Sequence, residues 1–163
     1  MTTEKAKERI VSLVQSTFGY SFRNVSKHDW DRNRFFHSLV KLCGGCKIVN
    51  GTDFNYSYCN TFEIEPKVQP DEYSYVLTFK TSFVADVYSL HVTRYSKDRS
   101  TGKVVSENEL PTLIPTIAIL RQFAVAAKFQ EMEGSDHDII VEGVSLELSD
   151  VATLGKCLFD DFE

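Results

Sequence analysis

Over positions 53–65 the chain alternates. Phe54, Tyr56, Tyr58, Asn60, Phe62 and Ile64 take the even positions, and Asp53, Asn55, Ser57, Cys59, Thr61, Glu63 and Glu65 the odd ones. A period of two puts successive side chains on opposite sides of a pleated strand, so this stretch reads as an antiparallel strand, dry on one face and wet on the other, with a break near Asn60. A second extended run carries Tyr73, Tyr75, Leu77, Phe79 and Phe83 on one face and continues through residues 84–95. That is too long for one strand of a small sheet, so a tight turn or bulge is expected near Ala85-Asp86. Asn50-Gly51, between "CKIV" and "TDFNY", is the signal of a two-residue hairpin, and "PKVQPDE" (66–72) supplies the next turn. "SKDRSTGK" (96–103) reads as a polar loop, "KVVS" as a short edge strand, and "DIIVEGVSLEL" as a last strand bent at Gly143.

Helical periodicity lies on either side of these strands. Ala6, Ile10, Leu13, Val14 and Phe18 form one stripe over residues 3–18, with Thr2 or Thr3 as cap and Gly19 as stop. Phe36, Leu39, Val40 and Cys43 recur at helical spacing within residues 28–42, where Gly44-Gly45 ends the element. Pro111 and Pro115 mark a third helix start, followed by apolar residues on most faces of 113–129, as in a central helix, with Gly134 ending it. Ser149 is the expected cap of a short closing helix with Val151, Leu154, Leu158 and Phe162 inward. The expected fold is therefore α+β, a mainly antiparallel sheet of about five to six strands with four helices, two of them N-terminal, in one domain spanning 1–163. No strand–glycine-loop–helix unit occurs, which argues against a nucleotide-binding doubly wound fold.

The formal net charge of −5 disfavours a general nucleic-acid binder and fits a basic protein partner. The first residues have dispersed charges and no apolar signal-peptide core, and the apolar run near Leu113 is broken by Arg121 and Gln122. Neither reads as a leader or a membrane span, so a cytoplasmic location is expected. Three glycosylation-type triplets, beginning at Asn24, Asn50 and Asn55, then read as turn and strand chemistry.

Cys43-Gly-Gly-Cys46 is the one compact motif with a possible chemistry. A redox CxxC places its first thiol at a helix start, where the dipole stabilises the thiolate; here the helix runs into Cys43, which should raise the thiol pKa. Zinc would need Cys59 and His37 or His28 as further ligands, and no second CxxC or histidine pair is present. The preferred reading is a helix stop with free, core-packing cysteines, no metal and no cofactor.

His28, His37, His91 and His137 lie in separate segments; "SDHD" (135–138) reads as a solvated loop, and Glu63 and Glu65 share one strand face. Six tyrosines (Tyr56, Tyr58, Tyr73, Tyr75, Tyr88 and Tyr95) fall on predicted strands and offer contact area. Acidic residues cluster at Glu131, Glu133, Asp136 and Asp138, and again at Asp160, Asp161 and Glu163; these are the candidate partner-binding residues. With no catalytic constellation, the expected function is a non-enzymatic protein-binding module that neutralises or escorts one partner, as the immunity protein of a bacterial toxin does. The alternative is a small-ligand-binding or enzymatic domain with a cavity between sheet and helices. A pocket holding one of the four histidines would favour the alternative.

Overall fold

The structure, a computed structural model, describes residues 3–161 of the 163. It has the α+β architecture expected. In chain order the helices are α1 (Glu4–Phe18), α2 (Phe36–Leu42), α3 (Ile114–Ala126) and α4 (Leu154–Leu158). The strands are β1 (Cys46–Asn50), β2 (Cys59–Pro66), β3 (Ser74–Ser82), β4 (Val87–Tyr95), β5 (Gly102–Val105) and β6 (Gln130–Glu131). β1 to β5 form an antiparallel meander in sequence order, and β6 adds to β4 in parallel. No described helix is long and apolar enough to cross a membrane.

The register sorts the side chains into two faces. Phe62, Phe79 and Leu90 align across β2, β3 and β4, as do Ile64, Leu77 and Val92. This first face packs against Leu39 of α2 and Ile117, Leu120 and Ala124 of α3 in one apolar cluster. The second face is divided. At one end Cys59 and Val87 join a separate cluster with Ile10, Val14 and Phe18 of α1 and Leu154, Cys157 and Leu158 of α4. At the other end Glu63, Thr78 and His91 form a rank across three strands that no described helix covers.

Local signals explain much of this. Thr3 accepts a hydrogen bond from Ala6 N at the start of α1, and Gly19 at its end has φ 63°, the left-handed region suited to glycine. β3 and β4 are separated at residues 83–86, the break expected from their combined length.

Six expectations are corrected. The Asn50-Gly51 pair does not make a two-residue hairpin: Asn50 opposes Phe62, leaving a wide connection before Cys59. Tertiary contacts hold that loop open, with Phe54 against Trp30 and Phe83, and Tyr58 against Phe18. The helix expected over 28–42 begins only at Phe36, because Asn60 Nδ2 donates to the Asp31 and Arg32 carbonyls that a longer helix would need. Arg34 locks the same segment by donating to Asn60 Oδ1 and the Thr81 and Ser82 carbonyls, its guanidinium 3.6 Å from the Phe83 ring centroid.

The stretch 138–148 is not a strand. It makes only isolated bridges, Ser21 to Ser145 and Ile140 to Thr153, because its neighbours are short segments and not a sheet edge. Thr153, not Ser149, caps the closing helix; the Ser149 hydroxyl donates to the Asp161 carbonyl instead, and Phe162 lies outside the described residues. As for α3, it buries one stripe and leaves Ile114 and Val125 exposed, so it covers a sheet face and is not enclosed as a central helix. It also ends at Ala126, well before Gly134.

Candidate functional site

Where the second face changes from covered to open, the polar strand positions line a cleft of about 400 Å³. β2 contributes Thr61 and Glu63, β3 Thr78 and Lys80, and β4 His91, Thr93 and Tyr95; the wide loop adds Asp53 and Ser57. Each strand presents alternate residues, so Glu63–Thr78–His91 is one cross-strand rank and Thr61–Lys80–Ser89 the next.

Asp160 forms the floor. It arrives from the C-terminal segment, which pairs with the loop through Tyr58 N donating to the Phe159 carbonyl and Asp161 N donating to the Tyr56 carbonyl. Ser57 Oγ donates to one Asp160 carboxylate oxygen, and Lys80 Nζ donates to the other. Lys80 and Asp160 are each only 3% exposed. Burying two charges costs several kcal/mol of hydration, which good geometry and further hydrogen bonds must offset. Asp160 satisfies that condition with a donor on each oxygen, while the cleft rim above it stays polar and accessible.

The acidic residues singled out in the sequence separate into different roles. Asp160 and Asp161 are 3% and 0% exposed, so they are not the surface charges they were expected to be. The physical reason is pairing: Asp160 meets Lys80, and Asp161 accepts from Leu148 N at 2.8 Å. Glu163 lies outside the described residues. Asp136 is also buried, 3.1 Å from Lys7. Burial would push its carboxyl up, but the hydrogen bond and charge of Lys7 overcome this and leave it below the ordinary value. Glu131 meets Arg121, which also grips Glu107, and receives the Tyr88 hydroxyl. Glu133 and Asp138 are exposed. Glu131 and Glu133 line a second cleft that includes His91 and His137.

The cysteines also separate. Cys43 packs in the α2–α3 cluster and Cys59 in the α1–α4 cluster, so the wider ligand set considered for zinc is dispersed. Among the described residues no group of three or more His, Cys, Asp or Glu is placed to hold a metal ion. Burial, followed by the neighbouring Cys46, pushes the Cys43 thiol up to about 11, the direction expected at a helix end but with desolvation as the larger cause. Three of the tyrosines, Tyr58, Tyr75 and Tyr88, are core residues, and Tyr56, Tyr58 and Tyr73 lie outside the strands.

Sequence reasoning found Glu63 and named His91 only as an isolated histidine; it missed Lys80, Asp160 as its partner, and the threonines. The signal was present in the odd positions of β2 and the even position of Lys80 within "LTFKTSF", where a charge interrupts an apolar strand. The chain matches no protein-family model, no curated protein and no solved structure, so chemistry alone carries the reading of this cleft.

Proposed function

We propose that this chain is a small-ligand-binding α+β domain, that its site is the cleft over the open half of the sheet, and that it acts in the cytoplasm, where its four free cysteines stay reduced. The carrying observation is the cleft itself. A cavity of about 400 Å³ sits over three strands, with a buried ion pair fixing its floor and hydroxyl and carboxylate groups converging on its interior. Its size falls within the roughly 300–1,000 Å³ typical of ligand sites. Its lining is more polar than such sites usually are, so the matching ligand is itself polar, held by hydrogen bonds and not by apolar enclosure. The wall is built on strands, which position side chains more firmly than loops do.

The test is an amide-resolved NMR titration of the full chain with polar metabolites at millimolar concentration. Saturable shifts confined to Thr61, Thr78, His91 and Thr93 are the expected result. Binding only at residues elsewhere, or no binding across amines, sugars, carboxylates and nucleosides, overturns the reading.

A second reading is a protein-binding module that neutralises or escorts one basic partner, as immunity proteins do. It is favoured by Glu133 and Asp138, which are exposed and make no ion pair among the described residues. Rim charges of this kind mainly set association rate and its salt dependence. Of the acidic candidates among the described residues, these two are the ones such a partner would meet first.

A further inference from the structure

We propose that the two clefts on the second face form one continuous trough that binds an elongated organic polycation, a molecule with ammonium groups separated by alkyl spacers. This rests on the ligand-binding reading above and names its ligand class.

Continuity comes from a shared residue and from adjacent positions on β4. His91 of β4 lines both the first cleft and the second, of about 460 Å³. Glu63 and His91 are two strands apart in one cross-strand rank, a separation of about 10 Å from the usual strand spacing. Beyond β4 the trough continues past Ser89 to Glu133. A ligand reaching both ends therefore needs length more than breadth.

Charge selects its chemistry. Lys80 is held by Asp160 and Arg121 by Glu107 and Glu131, while His137 Nε2 lies 3.3 Å from the Met132 carbonyl. Glu63 and Asp53 at one end and Glu133 at the other make no ion pair among the described residues. Between them stand the hydroxyls of Thr61, Thr78 and Thr93. An ammonium group has three donors and no acceptor, and this lining offers acceptors at both ends and along the floor. A concave surface with excess negative charge also raises the local concentration of cations. Lys80, which lines the first cleft, and Arg121, which meets Glu131 of the second, are already turned to carboxylates and offer an anionic ligand little.

The experiment is isothermal titration of the full chain with spermidine, with the shorter diamine putrescine and the uncharged 1,8-octanediol as controls, at low and moderate salt. Spermidine is expected to bind one to one and to weaken with salt. Putrescine should bind more weakly, because it cannot reach both ends, and the diol should not bind detectably. Glu63→Gln and Glu133→Gln should each weaken spermidine by roughly fivefold, the upper range for a partly exposed ion pair. Asp138→Asn, outside both clefts, should change it less than about twofold. Equal affinity for spermidine and putrescine, or loss in Glu63→Gln without loss in Glu133→Gln, overturns the single trough. If an uncharged polar compound binds the first cleft while spermidine does not, the polycation inference fails and the ligand-binding reading stands. If nothing binds the cleft, both fail.

Discussion

The two ends of the sheet's second face start from the same strands and end in different physical states. At one end Cys59 and Val87 lie under α1 and α4, within a cluster that includes Tyr58, Leu158 and Phe159. At the other, Glu63, Thr78 and His91 face a cleft with no described helix above them. Strand geometry does not differ between them; side-chain chemistry does. Apolar positions recruit a covering layer because each buried side chain gains about 1.5–3 kcal/mol on leaving water, whereas a rank of glutamate, threonine and histidine gains nothing comparable. The boundary is marked by Lys80 and Asp160, a charged pair deep enough to be dry and adjacent to a cleft that is wet.

The covered end should therefore be much the more sensitive to truncation. Phe159 is 1% exposed and stacks on His137 with ring centroids 5.6 Å apart. Replacing it with alanine removes a large aromatic from a closed cluster and should cost about 4 kcal/mol, the middle of the range for buried aromatics. Urea denaturation of the variant measures this. A loss below about 1 kcal/mol would mean that the C-terminal segment contributes little to the covered layer and that the contrast is wrong.

The boundary pair should give the next largest effect, and its pattern matters more than its size. Lys80→Met leaves Asp160 buried with the Ser57 hydroxyl and the weakly donating Cys59 thiol on one carboxylate oxygen and without its cation, and should cost roughly 3 kcal/mol. Lys80→Met with Asp160→Leu removes both charges and should recover most of that loss, since an apolar pair escapes the desolvation penalty. A full double-mutant cycle checks it by denaturation. Additive losses would show that the two side chains do not act as a pair.

How far this contrast could be read in advance depended on the range of the interactions that produced it. The start of α1, the break between β3 and β4, and the open odd positions Thr61, Glu63 and Glu65 of β2 follow from neighbours within a few residues and were legible, whereas Cys59, on the same face, is buried. Residues 54–58 alternate like a strand yet form a loop, because Trp30 and Phe83 capture Phe54 and Phe18 captures Tyr58. The terminal acidic residues look like a solvated surface, and only contact with Lys80, 80 positions earlier, turns Asp160 inward. Charge type is visible in a sequence; charge partner across a sheet is not. The same limit hid the cleft: Glu63 stood out, but its alignment with Thr78 and His91 exists only once the register is known.

The smallest effects on stability should come from the open end. Thr78 stands at the centre of the uncovered rank and is half-buried, and Glu63 beside it is exposed on β2. Thr78→Val exchanges a hydroxyl for a methyl of similar shape in a strand, where both β-branched residues suit the backbone. Glu63→Gln removes a charge that makes no ion pair among the described residues. Each should change stability by less than about 0.5 kcal/mol, as surface substitutions without a packing role do. Both side chains line the cleft, so ligand affinity should respond where stability does not. Denaturation of the two variants beside a titration with whichever compound binds the cleft separates these outcomes. A stability loss near 2 kcal/mol in either variant would place that side chain within the packing that supports the fold, and the division of this face into a structural end and a binding end would collapse.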